Sequence, residues 1–192
     1  MQLPIQTSDV FGLNQAPNEN SYVDRGSIDR KIKVFLGRDE HIAIRGDSKV
    51  GKSWLRQRIF DNPIVVQCRL GKTPVDLYRE ALGEIGVKFT VEESVSKLIS
   101  GEFSGENEAG FSLLSKVKLK LAGKMERQTG KQQVDLKSSI ENLKFVSELI
   151  NESGRRLVIE DFHYLSEETR KAFAFDLKAM WDYRCFIIII GV

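Results

Sequence analysis

Cysteine and histidine are scarce, two of each in 192 residues. Cys68 and Cys185 fall inside apolar runs, where a free thiol behaves as a small buried hydrophobe. Neither histidine stands beside a cysteine at a ligand-like spacing. Neither a disulfide framework nor a zinc site is therefore expected, whereas a reduced, cytoplasmic chain is. An excess of one charge is lacking too. Lys and Arg number 29 against 27 Asp and Glu, so the overall field gives no pull toward nucleic acid or an anionic membrane, and any such affinity must be local. Long hydrophobic runs are absent. The longest, Phe186 to Ile190, falls far short of a bilayer, and the N-terminus has no basic patch followed by an apolar core, so neither membrane insertion nor secretion is expected.

What is present suits one domain. Apolar residues make up 41% of the chain, enough at this length for one sizeable core. Residues 1–21 are polar and interrupted by Asn14, Pro17, Asn18 and Asn20, which predicts a flexible N-terminal arm before a core over 22–192. Ile28, Ile32, Phe35 and Leu36 recur at helical spacing and Gly37 supplies a stop. His41 to Arg45 reads as a strand, Lys52 to Phe60 as a helix with Leu55 and Ile59 inward, and Ile64 to Cys68 as a second strand. Thr73-Pro74-Val75-Asp76 opens a helix with a capping hydroxyl and a first-turn proline, and Gly86 is its predicted end.

Between about 91 and 133 glycines are scattered among charged residues, which predicts an insertion. Within it Val117 to Leu121 alternates apolar and basic, suiting a short surface strand or a frayed helix. Regularity returns with a helix through Ile140, Leu143, Val146, Leu149 and Ile150, then a strand Arg156 to Glu160. A helix Glu167 to Tyr183 follows, capped by Ser166, with Phe173, Leu177, Met180 and Trp181 inward, and Phe186 to Gly191 is a fourth strand. Strands alternating with helices imply an α/β fold, a mainly parallel sheet covered on both faces in three layers.

Gly46-Asp47-Ser48-Lys49-Val50-Gly51-Lys52-Ser53 matches G-x-x-x-x-G-K-S/T at every fixed position and lies between a strand and a helix. Gly46 and Gly51 allow the tight turn that aims backbone N–H groups at phosphate oxygens, and the helix adds the positive end of its dipole. Lys52 can reach the β- and γ-phosphates and the Ser53 hydroxyl can ligate magnesium. Trp54, next in the chain, is grouped with this loop and expected to pack its helix. A second constellation ends the strand Leu157-Val158-Ile159: Glu160 and Asp161, two carboxylates where open α/β sheets place their ligands. One can hold magnesium through water and the other can orient or deprotonate the attacking water. Lys52, Glu160 and Asp161 are thus the candidate catalytic residues, and Ser53, Glu160 and Asp161 the candidate metal ligands for an ATP–magnesium site. His163, just beyond, is expected to pack in the turn with Phe162 and Tyr164, with sensing of the γ-phosphate as the other reading.

Through GDSKVGKS, LVIEDFHYL and the FIIIIGV strand the chain resembles the AAA+ and signalling (STAND) branch of P-loop NTPases, especially origin-recognition-like and transposition-type ATPases. The resemblance implies ATP binding, magnesium-dependent hydrolysis and a P-loop NTPase core. In that family the first acid, usually Asp, handles the metal and the second, usually Glu, activates water. By position Glu160 would attend the metal and Asp161 the water, but the reversed order leaves the assignment open. Tyr22-Val23-Asp24-Arg25 looks like the segment that packs beside the nucleotide base, making Tyr22, Val23 and Arg25 base-side candidates; simple docking of the arm through Tyr22 and Val23 is the other reading. The family also implies a fifth strand, a helical lid and often an arginine finger after the fourth strand. None occurs before Val192, so an AAA+-like core lacking its lid, cut from a longer protein, is expected.

Three functions follow as expectations. The first is an ATPase or ATP-gated switch acting with a C-terminal effector domain or through self-association, and the second is an ATP-binding module without turnover. The third is a DNA-associated ATPase contacting DNA through Lys116, Lys118, Lys120, Lys124, Arg127 and Lys131, a run that also suits a solvated face. A GTPase is disfavoured because no Asn-Lys-x-Asp run occurs.

Overall fold

A computed structural model describes residues 23–24, 26–91, 101–129 and 142–191. The expected arm, Tyr22, Arg25, Lys131 and Ile140 lie outside them. The sheet is built from β1 (Ile42–Arg45), β2 (Ile64–Gln67), β5 (Leu157–Glu160) and β6 (Ile188–Gly191), in the order β1-β6-β5-β2 with every pairing parallel. Burial explains that order. All four residues of β5 are buried and β6 is nearly so, which suits central strands, whereas β1 and β2 alternate buried with exposed positions as half-covered edges do.

Side chains alternate across a strand, and the two faces of the sheet carry separate cores. Val158, Ile188, Ile190 and Ile42 pack with Ile32 and Leu36 of α1 (Ser27–Leu36) and Leu55 and Ile59 of α2 (Lys52–Ile59). Leu157, Ile159, Ile64 and Val66 pack on the other face against α3 (Pro74–Gly83), α5 (Leu143–Glu152) and α6 (Glu167–Asp182). Tyr78, Phe145, Leu149 and Phe173 are fully buried there, each side chain contributing about 2 kcal/mol of hydrophobic stabilisation. Cys68 and Cys185 are free and buried in this same core, and burial pushes both thiols up to about 12.

The stretch expected as an insertion folds differently from the strand reading. β3 (Val87–Val91) and β4 (Gly101–Gly105) form a separate antiparallel pair, and α4 (Glu108–Thr129) is one helix of 22 residues that includes Val117 to Leu121. Leu114 and Val117, three apart, are buried while Leu119 is 74% exposed, so the apparent alternation is a helical stripe read through a two-residue window. Phe89 and Phe103 from the hairpin and Phe145 from α5 pack in series as tilted rings, with centroids 4.7 and 4.8 Å apart. Gly110 seals the junction: a Cβ there would lie 1.9 Å from the Gly86 carbonyl oxygen. Two further expectations are corrected. Helix α3 ends at Gly83 rather than Gly86, and Trp181, Phe35 and Ile28 remain substantially exposed because the stripes on α6 and α1 are narrower than their apolar content.

Polar groups fix the N-terminal ends of the strands. Arg156 donates from Nε to the Phe186 carbonyl (3.2 Å), from Nη1 to that of Leu36 (2.9 Å), and from Nη2 to those of Arg38 and Glu40 (3.2 and 3.3 Å). Arg155 binds the carbonyls of Asn62, Pro63 and Glu84. His41 bridges the same end: Nε2 donates to the Leu177 carbonyl at 2.8 Å, and Nδ1 accepts the Ile187 N–H at 3.0 Å. These partners require the neutral ring. Burial, aided by the nearby Arg156 charge, lowers the His41 pKa below 6.5.

Two predictions follow from this framework. Replacing Arg156 with Ala removes charge-assisted bonds to four carbonyls and should cost about 3 kcal/mol, read as a lower urea midpoint; a loss below about 0.5 kcal/mol would show the carbonyls are satisfied without it. The unfolded chain takes up a proton on its histidine near pH 6.5, the folded one only at lower pH. The stabilisation from neutral His41 is thus complete above pH 6.5 and fades as pH falls from there toward the folded value. The melting temperature of the wild type should therefore fall more steeply than that of His41→Phe between about pH 7.5 and about pH 5, and parallel curves would contradict this role.

Candidate functional site

The sheet register sets the site. Arg45 pairs with Gly191, Val158 with Ile188 and Gln67 with Glu160, so the loops after β1 and β5 leave the same end. They stand two strands apart, roughly 10 Å at ordinary strand spacing.

After β1 the chain turns through Lys49 (φ 64) and Gly51 (φ 82), both left-handed. Gly51 is the N-cap of α2 and brings no side chain, so no side-chain hydrogen bond caps that helix. Helices α3, α5 and α6 are each capped, by Thr73, Asn142 and Ser166. The first-turn amides of α2 are the orphan donors that every helix start carries, here joined by the positive end of the dipole. Lys52 folds back over the loop, its Nζ donating to the carbonyls of Gly46 and Asp47, both at 2.7 Å.

A cavity of about 830 Å³ opens against this loop, lined by Ser48 to Trp54 with Asp161, His163 and Tyr164. Asp161 reaches it through a left-handed backbone (φ 57, ψ 34), a conformation that Asp tolerates better than most side chains. The turn then closes as a short 3-10 segment, with the Tyr164 N–H donating to the Asp161 carbonyl at 2.9 Å. His163 packs on Tyr164 with ring centroids 4.2 Å apart, as expected, and its buried Nδ1 has no hydrogen-bond partner among the described residues.

The two neighbouring acids face different surroundings. Leu157 and Ile159 point to one core and Val158 to the other, so Glu160 projects toward α2. There its Oε1 accepts from Arg56 Nε at 2.8 Å, with only 6% of the Glu160 side chain and 15% of the Arg56 side chain exposed. Glu160 does not line the loop cavity and instead borders a smaller one of about 370 Å³. Of the proposed catalytic and metal residues, the structure therefore brings Lys52, Ser53 and Asp161 together and ties Glu160 to Arg56.

Arg56 was not among the residues singled out in the sequence. Its signal was a buried strand ending in a carboxylate, which needs a cation, and an arginine one helical turn beyond Ser53. Tyr164 was read only as a packing partner and also lines the cavity. Val23, read as a base-side candidate, is 80% exposed and does not line it. Trp54 does line it and is 39% exposed. Lys116, Lys118 and Lys120 all lie on α4, where Lys120 pairs with Glu148 at 2.6 Å.

Among the described residues no cluster of three His, Cys, Asp or Glu side chains could hold a metal by itself, and no helix is long and apolar enough to cross a membrane. The hydroxyls of Ser48 and Ser53 and one carboxylate, that of Asp161, share the loop cavity, with the Tyr164 phenol also at its wall. That donor set suits magnesium bound jointly by protein, phosphate and water, and does not suit an all-protein cage. Comparison with family models, with curated proteins and with solved structures gives no match to this chain.

The Arg56–Glu160 pair is open to measurement. Arg56→Ala leaves a buried carboxylate without its cation and should cost about 3 kcal/mol of unfolding free energy. Adding Glu160→Gln should restore part of that loss, because the stranded charge is gone. Strictly additive effects of the two substitutions would show that the side chains do not interact.

Proposed function

We propose that this chain binds ATP with magnesium in the cavity of the Gly46–Ser53 loop and hydrolyses it, as the motor or switch portion of a larger P-loop protein of AAA+ or STAND type. The observation that carries the reading is convergence. A glycine turn, an uncapped helix start and Lys52 meet a carboxylate, Asp161, delivered from a strand two places away.

In this reading the phosphate chain lies along the loop and takes bonds from its amides and from the first turn of α2. Lys52 exchanges two neutral carbonyls for charged phosphate oxygens, a stronger pairing. The Ser53 hydroxyl holds the magnesium, which when bound neutralises charge developing on the phosphates. Asp161 accepts a hydrogen bond from the attacking water and orients it toward the terminal phosphorus. Trp54 and Tyr164 shield the flank of the cavity from bulk water.

A second reading has one observation in its favour. Arg56 occupies Glu160, the acid whose strand position matches the metal-attending residue of the family, and so the chain would hold ATP without turnover.

Thermal unfolding with magnesium-ATP, GTP and Lys52→Ala tests the site. Ligand at about a hundredfold over its dissociation constant should add about 2.7 kcal/mol, specifically for ATP, and Lys52→Ala should abolish the rise. No rise in a folded wild-type sample would sink the proposal for this chain. Phosphate release then separates the two readings. Asp161→Asn, which keeps the left-handed backbone tolerable, should retain the ATP-induced rise and lower turnover on the order of 100-fold. A wild type that binds but releases no phosphate would instead support the non-hydrolysing module.

A further inference from the structure

The smaller cavity, about 370 Å³ at the C-terminal ends of β2 and β5, is lined by Arg56, Gln67, Arg69, Lys72, Glu80 and Glu160 along with Val65. Three cations face two carboxylates there, and the carboxylates are matched one to one. Glu160 accepts from Arg56 Nε at 2.8 Å, and Glu80 accepts from Lys72 Nζ at 2.6 Å. One positive charge remains, that of Arg69.

The surplus of donors is larger than the surplus of charge. The Arg56 side chain uses only Nε, on the edge of its guanidinium nearest Glu160, and neither terminal Nη group makes a hydrogen bond with any described residue. The Arg69 side chain makes no hydrogen bond or ion pair with any described residue. A guanidinium clamped on one edge by a buried carboxylate, with its other edge toward a cavity beside a second free guanidinium, is pre-oriented for a planar or tetrahedral oxyanion. Lys72, anchored by the Gln67 carbonyl at 2.6 Å as well as by Glu80, adds a point charge at the rim.

We propose that this cavity is a second anion site, built to take the phosphate group of a small molecule between Arg56 and Arg69. Glu160 is its positioning residue, holding Arg56 in place from behind. The site is separate from the loop cavity, shares no lining residue with it, and stands whether or not the loop binds a nucleotide. It also gives Glu160 a role that requires no metal.

Calorimetric titration with inorganic pyrophosphate at fixed ionic strength tests this on the full chain carrying Lys52→Ala, which removes the loop's main phosphate contact. A saturable site should remain, and adding Arg69→Ala should weaken it about tenfold or more, the loss expected for one charge-assisted contact pair. The Arg69 side chain is exposed and makes no bond with a described residue, so the substitution should leave the melting temperature unchanged; Arg69→Gln serves in its place if it does not. Absence of saturable binding in Lys52→Ala, or binding that Arg69 substitution leaves unaltered, would overturn the proposal. Arg69→Ala alone should keep the ATP-induced stabilisation, so a failure of the nucleotide reading registers in a different protein from a failure of this one.

Discussion

The guanidinium of Arg156 draws together the carbonyls of Leu36, Arg38 and Glu40, which precede β1, and that of Phe186, which precedes β6, while its own residue leads into β5. Three strands far apart in sequence are thus tied at one end by one side chain, and parallel pairing carries that alignment to the other end. Strands of four residues rise only about 13 Å, too short to absorb a slip. If one strand moved by a residue, its side chains would exchange faces and both cores would be lost. The meeting of the glycine loop with Asp161 therefore depends on a staple at the opposite edge of the sheet.

That dependence explains which parts of the fold could be read in the sequence. The core strands were legible because Leu157 to Ile159 and Phe186 to Ile190 are continuous apolar runs, and the capped helices announced themselves through Thr73, Asp76 and Ser166. The hairpin β3–β4 was not legible. Its stability comes from Phe103, which packs on Phe89 within the pair and on Phe145 more than forty residues away, a contact that no local pattern contains. Helix α4 was one of two readings left open over Val117 to Leu121, for the complementary reason: its buried stripe is narrow, and in a short window basic residues between apolar ones mimic a strand.

The candidate site was legible in its residue types and only partly in its geometry. Spacing placed Lys52 and Ser53 at a helix start, where the structure has them. The division between Glu160 and Asp161 could not be read from sequence, because it depends on a single backbone angle. An extended Asp161 would continue the strand and point toward the opposite core, whereas the left-handed turn swings it over the loop. The partner that claims Glu160 lies 104 residues away on another element. Left-handed backbone at an Asp costs on the order of 1 kcal/mol, and the surrounding turn, with the Tyr164 N–H fastened to the Asp161 carbonyl, holds it in place.

The two buried thiols give the molecule a chemical clock. With pKa values near 12, Cys68 and Cys185 expose on the order of one thiolate in 10⁵ at neutral pH even before access is considered. Both sit in the core that joins the sheet to α3, α5 and α6. An alkylating reagent therefore meets them only when that core parts, and the modification rate reads how often the face opens rather than how reactive its surface is. In oxidising surroundings the same burial makes the native chain indifferent to its cysteines, and only the opened chain can cross-link.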